Sequence, residues 1–97
     1  MTYTLEQLQK MRKSSVDFAL AKLVLKRPIE RGGHPSYCVF AGDTMPLAFQ
    51  HKICLINSES GWIAFLFDTT NGDIEFEDKN PLRAIACCLI LVLQEQK

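Results

Sequence analysis

The chain has 97 residues, of which 47% are hydrophobic and 23% are charged. This balance is typical of one globular domain and excludes a largely disordered chain. Eleven basic residues equal eleven acidic ones, and zero net charge argues against a dedicated nucleic-acid binder, because such domains usually carry an excess of Lys and Arg.

The first predicted helix begins at Thr4. Thr4 and Gln7 have the spacing of a capping box, in which each side chain accepts a backbone N–H of the other residue. Leu5, Leu8 and Met11 recur every three residues, so we expect them to face the core.

A second helix is predicted after the serine pair at 14–15, which offers a new N-cap, with Asp17 favourable in its first turn. The segment Val16–Leu25 is apolar enough to be core. Its pattern leaves open whether residues 20–27 are helix or strand. Pro28 ends the element in either case, because it lacks the backbone donor.

The middle of the chain is predicted to be irregular. Residues 28–37 contain two Pro and two Gly and read as a loop. Residues 38–42 are interpreted as a short strand. Asp43 is a good N-cap for a short helix from Thr44 to about Gln50, with Pro46 tolerated in its first turn.

Three antiparallel strands are predicted next, at Lys52–Ile56, Trp62–Asp68 and Asp73–Asp78. Turn-forming residues at 57–61 separate the first two strands. The pair Asn71-Gly72 is a strong hairpin signal between the second and the third.

The third strand is expected to carry a row of acidic side chains. Ile74 and Phe76 face one side of the strand, and Asp73, Glu75 and Glu77 face the other. Neighbouring carboxylates on that side lie roughly 6.6 Å apart, too far to share a proton, and they lack the spacing of a calcium loop. One interpretation of the row is a solvated sheet face; the other is a line of negative charge that imitates phosphates or docks on a basic partner. The predicted partner-binding residues are Asp73, Glu75, Glu77 and Asp78.

The last helix begins at Asn80, a good N-cap, followed by Pro81 at the first helical position, where a missing N–H costs nothing. The helix is apolar almost all round, which indicates burial on more than one side. Either it lies between the sheet and the N-terminal helices, or its outer side at 82–94 meets a second copy. The predicted fold is therefore one α+β domain, with an antiparallel sheet of three to four strands packed against N- and C-terminal helices.

A basic group of residues forms an alternative site, for an anion. Arg83 lies in the first turn of the last helix, where free N–H groups favour anions and a guanidinium binds phosphate in a bidentate way. The competing interpretation is that Arg83 pairs with a carboxylate such as Asp78 or Glu77. The residues of this alternative site are Arg83, Lys79, Trp62, Arg27, Arg31 and Tyr37.

The cysteines and histidines give no catalytic or metal-binding pattern. Cys38, Cys54, Cys87 and Cys88 lack metal-ligand spacing and sit among apolar residues, so all four are predicted to be buried. His34 is interpreted as a loop residue and His51 as the end of a helix. The protein is therefore predicted not to be an enzyme and to need no cofactor. The polar N-terminal stretch and the unpaired cysteines predict a cytoplasmic protein.

The segment Asp78-Lys79-Asn80-Pro81-Leu82-Arg83-Ala84, followed by the apolar helix that ends in Leu93-Gln94-Glu95, resembles the NinX-like family. These are small proteins of unknown function encoded by lambdoid phages and prophages. The likeness spans about residues 43–97 and includes Met45-Pro46-Leu47, His51-Lys52-Ile53, and Trp62 with Ala64. Met45 stands where the family typically has Trp, and the family's preceding Cys-Asn segment is not evident. The resemblance implies a compact α+β sandwich and a phage origin, and it carries over no catalytic residues.

Two functional hypotheses follow for a phage accessory protein. The first is counter-defence, in which the protein inhibits a host protein of CRISPR or other immunity by direct contact through the acidic row or through the exposed side of the last helix. The alternative is an oligomeric sponge that sequesters a nucleotide immune signal at the basic site. Neither hypothesis involves a membrane or a nucleic-acid partner.

Overall fold

The computed structural model describes residues 3–25, 37–38, 41–68 and 72–94. It has the predicted α+β fold, a three-stranded antiparallel sheet with helices before and after it. The elements in chain order are α1 (Leu5–Lys10), α2 (Lys13–Leu25), α3 (Ala41–Gln50), β1 (Cys54–Ser58), β2 (Gly61–Asp68), β3 (Gly72–Asp78) and α4 (Pro81–Leu93).

Helix α1 begins with the predicted capping box. The Gln7 N–H donates to Thr4 Oγ1 over 3.2 Å, and the Thr4 N–H donates to Gln7 Oε1 over 2.8 Å. Leu8 is fully buried and Met11 packs against the core, as predicted. Leu5 is 43% exposed, so its inward orientation was predicted wrongly.

Helix α2 begins at Lys13, so the serine pair at 14–15 lies inside it and does not cap it. The prediction was wrong because the chain turns earlier: Met11 is extended (ψ 147°), and the Arg12 carbonyl already accepts the Val16 N–H at 3.0 Å. The helix continues to Leu25, which settles residues 20–25 as helical. Residues 26–36, which include most of the predicted loop, lie outside the described residues.

Helix α3 begins at Ala41, not at Thr44, so residues 41–42 are helical and not part of a strand. Asp43 lies in the first turn instead of capping the helix. The early start has a tertiary cause: the buried Thr44 hydroxyl donates to the Tyr37 carbonyl, which holds the turn at 37–38 against the helix. Residues 39–40 lie outside the described residues.

The sheet has the strand order β1-β2-β3, antiparallel throughout. Strand β1 starts two residues later than predicted because residues 51–53 still belong to the end of α3. The His51 N–H donates to the Leu47 carbonyl and the Ile53 N–H to the Ala48 carbonyl, at 3.0 and 2.8 Å. Lys52 has a positive φ of 58° at this turn.

Helix α4 starts as predicted, with the Asn80 side chain accepting the N–H groups of Leu82 and Arg83 at 2.9 and 3.4 Å. It packs on β2 and β3 on one side and on α2 and α3 on the others. Residues 83–90 and 92 are buried within one copy. The first of the two alternatives for this helix, burial between the sheet and the N-terminal helices, is therefore confirmed.

The two ends of α4 hold α1 in place. At the C-terminal end, Gln94 Oε1 accepts the Tyr3 N–H and Gln94 Nε2 donates to the Tyr3 carbonyl, both at 2.8 Å. At the N-terminal end, Arg83 reaches the carbonyls of the last turn of α1. Helix α1 thus lies antiparallel to α4, with a polar anchor at each end.

Candidate functional site

Strand β3 separates its side chains onto the two faces of the sheet. Phe76 is buried and Ile74 packs against the core, on the face covered by α4. Glu75 and Glu77 are exposed on the opposite face, as side chains alternate along a strand. Both were predicted for this row.

The exposed glutamates border a strip of apolar side chains contributed by β1 and β2. The register pairs Phe65 with Glu75, Ile63 with Glu77, and Ile56 with Ile63. Ile56 is 49% exposed, and Ile63 and Phe65 are half-buried. Together these five residues define the outer face of the sheet. Large apolar groups exposed beside charges are typical of interaction surfaces.

The two glutamates of the outer face differ in their surroundings. Glu77 Oε2 accepts hydrogen bonds from the hydroxyls of Ser58 and Ser60, at 2.7 and 3.1 Å. Ser58 pairs with Gly61 and Glu77 pairs with Ile63, so these hydrogen bonds cross β2 diagonally. These bonds hold Glu77 in place, whereas Glu75 has no protein partner among the hydrogen bonds and ion pairs described.

The predicted row is shorter than expected, because Asp78 lies on the inner face together with Phe76 and Ile74. The Asp78 carboxylate forms an ion pair with Arg83, and its Oδ1 accepts the Asn80 N–H at 2.9 Å. Asp78 was assigned to the outer row wrongly, since a strand period of two places it with the even-numbered residues. The backbone of Asp73 pairs with Phe67, and its side chain lies outside the described set.

Arg83 is buried, with 7% of its surface exposed, and its guanidinium is occupied by the protein itself. Nη1 donates to Asp78, and Nη2 donates to the carbonyls of Leu8, Gln9 and Met11, at 2.6, 3.3 and 2.9 Å. The guanidinium also lies 5.9 Å from the centroid of the Phe76 ring. The ion-pair interpretation of Arg83 is the one that the structure shows, and this side chain therefore gives no support to an anion site.

Three of the other residues of the alternative site, Tyr37, Trp62 and Lys79, lie within the described part of the chain. Tyr37 is buried, and its pKa is raised by burial and by the charges of Asp43 and Asp17. Trp62 is half-buried on the inner face, opposite Asp78, and Lys79 is exposed. Arg27 and Arg31 lie outside the described residues.

Three of the four cysteines are buried and one is not. Burial raises the pKa of Cys87 and of Cys88 to about 12, and that of Cys38 also rises, through burial and then the nearby Asp17. Such thiols are protonated at neutral pH and are poor nucleophiles. Cys54 is exposed, which corrects the prediction for this residue; its pairing with Phe65 places it on the same side as the outer face.

No group of three or more His, Cys, Asp or Glu residues that could hold a metal ion occurs within residues 3–25, 37–38, 41–68 and 72–94. In the same ranges, no helix has the length and apolarity needed to cross a bilayer. His51 is half-buried directly after α3, and His34 lies outside the described part of the chain.

Comparison with protein-family models, with curated proteins and with solved structures finds no match for this chain. The likeness to the NinX-like family therefore remains an expectation from the sequence.

The apolar half of the outer face was not predicted. Residues 62–67 are apolar at every position, which is the pattern of a strand buried on both sides. The available signal was the acidic row itself: residues that pair with exposed glutamates must share their face. Identifying Ile63 and Phe65 from this signal requires the residue pairing of the β2–β3 hairpin, which the sequence predicts only to within a few residues.

Proposed function

We propose that this protein is a non-catalytic binding protein that docks on another protein through the outer face of its sheet. The observation that supports this most is the apolar strip of Ile56, Ile63 and Phe65 beside the exposed carboxylates of Glu75 and Glu77. The described helix–sheet contacts of the fold fall on the other face, through α4.

The chemistry of the outer face defines the kind of partner. Protein interfaces combine an apolar centre with a polar rim, and here the rim on one side is acidic. A complementary surface has apolar groups beside Lys or Arg. Complementary charge raises the association rate and fixes the orientation more than it raises affinity.

The biological setting that we propose comes from the resemblance to phage proteins. In that setting the partner is a host protein of CRISPR or other immunity, and covering a functional surface of that protein inhibits it. The nucleotide sponge is not proposed as a second function, because Arg83 is bound by Asp78 and by carbonyls of α1 and Tyr37 is buried.

The test is photo-crosslinking in host lysate with a photoreactive phenylalanine analogue in place of Ile56. The control carries the analogue in place of Ser15, an exposed residue of α2. We expect a stoichiometric partner from position 56 that is missing from position 15. The purified partner should then lose its activity when the unmodified protein is added.

Reversing one charge on the outer face tests whether capture of the partner depends on the carboxylates of that face. Glu75→Lys, at the glutamate without a serine contact, should weaken capture roughly tenfold, and Glu6→Lys, the same reversal at an exposed residue of α1, should leave it unchanged. Equal melting temperatures verify that both variants fold. The proposal fails if positions 56 and 15 capture the same proteins, or if both reversals act alike.

A further inference from the structure

The register of the β1–β2 hairpin fixes the direction of every peptide group in the sheet. The turn Glu59-Ser60 joins Ser58 to Gly61, so this closing pair must exchange both of its hydrogen bonds. Hydrogen-bonded pairs then recur at every second residue. The odd-numbered residues of β2 therefore bond to β1, and its even-numbered residues bond to β3.

This alternation leaves one set of peptide groups on β3 pointing outwards. The even-numbered residues of β2 pair with Asp78, Phe76 and Ile74, which turn their N–H and C=O groups into the sheet. Because β3 is last in the strand order, the N–H and C=O groups of Glu75 and Glu77 point to its outer edge. The residues with outward peptide groups are thus the same residues that carry the exposed carboxylates.

Charge selects among the strands that could pair with this edge. In an antiparallel pair, directly opposite residues have Cβ atoms about 5 Å apart, so like charges repel and opposite charges attract. The β3 strand of a second copy would bring glutamate against glutamate. A strand with Lys or Arg at alternate positions would place a cation opposite each carboxylate.

We propose that an extended, basic segment of the partner adds to the sheet as a fourth strand, antiparallel to β3 over residues 73–77. The peptide groups of Glu75 and Glu77 supply its main-chain hydrogen bonds, and their carboxylates select Lys or Arg two residues apart. This mode of recognition is β-strand addition, in which backbone bonds give affinity and alternate side chains give specificity. The inference rests on the proposed function, because it specifies how the partner meets the outer face.

The experiment uses synthetic peptides and needs no identified partner. The probe is a peptide of four Lys-Val repeats, and the control is four Lys followed by four Val, with the same charge and composition. Fluorescence anisotropy should show the alternating peptide binding roughly tenfold more tightly. Amide hydrogen exchange by NMR should show new protection of the Glu75 and Glu77 N–H groups, while the Phe76 N–H, already bonded to β2, changes little.

A charge swap gives a second, independent readout. The variant Glu75→Lys/Glu77→Lys should lose the Lys-Val peptide and gain a peptide of four Glu-Val repeats. Equal binding of alternating and block peptides would overturn the inference, as would binding without protection at residues 75 and 77. The inference would also be overturned if neither peptide bound and the variant Glu75→Gln/Glu77→Gln self-associated. The acidic row would then serve only to prevent copies of the protein from pairing edge to edge.

The two proposals fail separately. If cross-linking at Ile56 captures a partner and the peptides leave the edge unprotected, the outer face functions without strand addition. If the peptides protect the edge and lysate yields no partner at Ile56, the edge binds extended basic segments and the proposed function is wrong.

Discussion

Gly61 is a position at which the fold tolerates no side chain. Its φ is +154°, and a Cβ atom there would lie 2.5 Å from the Asp78 carbonyl oxygen and 2.9 Å from Lys79 Cα. Since both contacts are with backbone, relief requires moving β3. We expect Gly61→Ala to lower the free energy of unfolding by about 2 kcal/mol or more, measured by urea denaturation.

Gly42 provides the matched control for this change. It lies in the first turn of α3, with nothing within 4 Å of a Cβ atom built on it. Gly42→Ala should leave stability unchanged or raise it by up to about 1 kcal/mol, because Ala is the better helix former. Equal losses at both glycines would contradict the steric argument.

Cys54 should be the reactive thiol of the native protein. It is exposed, whereas Cys38, Cys87 and Cys88 are buried. Raising a thiol pKa from 9.0 to about 12, as for Cys87 and Cys88, lowers its thiolate fraction about 1,000-fold. A chromogenic disulfide reagent at pH 8 should titrate one thiol rapidly, and Cys54→Ser should abolish that phase. A rapid phase that survives in Cys54→Ser would contradict the burial of the other three.

At the scale of elements, α1 depends on Arg83 for its attachment. Arg83→Met would leave the Asp78 carboxylate without its cation and remove the donor from the last carbonyls of α1. Breaking a buried pair from one side costs about 3–5 kcal/mol, and urea denaturation should show a loss of that size. Arg83→Lys should retain only part of the stability that Arg83→Met loses, because an ammonium group lacks the forked donors of a guanidinium.

Lys79→Met removes the same charge from an exposed neighbour. It should change stability by no more than about 0.5 kcal/mol. If Arg83→Met cost no more than Lys79→Met, the contacts of Arg83 with α1 would contribute nothing to stability.

Elements whose ends are determined locally were predictable from the sequence. The capping box of Thr4 and the Asn80-Pro81 start of α4 lie within single turns, and both were predicted correctly. The starts of α2, α3 and β1 were misplaced by two or three residues, because none of them follows the cap and turn residues that the sequence offers. Thr44 bonds to Tyr37, which is a contact between elements. Strand β1 starts late because α3 ends in a local cap at Lys52, whose positive φ lets the Ile53 N–H reach the Ala48 carbonyl, at a position where the sequence has no Gly to indicate it.

At the scale of the whole molecule, the candidate site was only half predictable. Glu75 and Glu77 followed from the strand period, but Ile56 and Phe65 join them only through the register between strands. The role of Arg83 depended on α1 and α4 running antiparallel. That arrangement follows from packing the whole chain and not from any local pattern.

The buried thiols make the stability of the whole molecule sensitive to alkali. Below the ordinary thiol pKa of 9.0, the contribution of the buried thiols to the free energy of unfolding is fully present, because the thiols are protonated in both the folded and the unfolded chain. As pH rises from 9.0 towards about 12, the unfolded chain loses protons that Cys87 and Cys88 retain in the fold. The free energy of unfolding should therefore fall, by up to about 1.4 kcal/mol per pH unit for each thiol.

Variants at two cysteines separate this effect from other alkaline titrations. Cys88→Ala should reduce the slope of stability against pH between pH 9 and 11 by up to about 1.4 kcal/mol per unit, more than the same change at the exposed Cys54. Urea denaturation across that range measures both slopes. Identical slopes for the two variants would show that the buried thiol does not govern alkaline stability.

The paired amide contacts between Tyr3 and Gln94 hold two residues from opposite ends of the sequence side by side. A short glycine–serine linker would therefore suffice to join Gln94 to Tyr3, and the Glu59-Ser60 turn offers an exposed place to open the chain instead. Such a circular permutant should retain the native circular-dichroism spectrum and most of its melting temperature. It would place β1 at the end of the chain and β2 at its beginning.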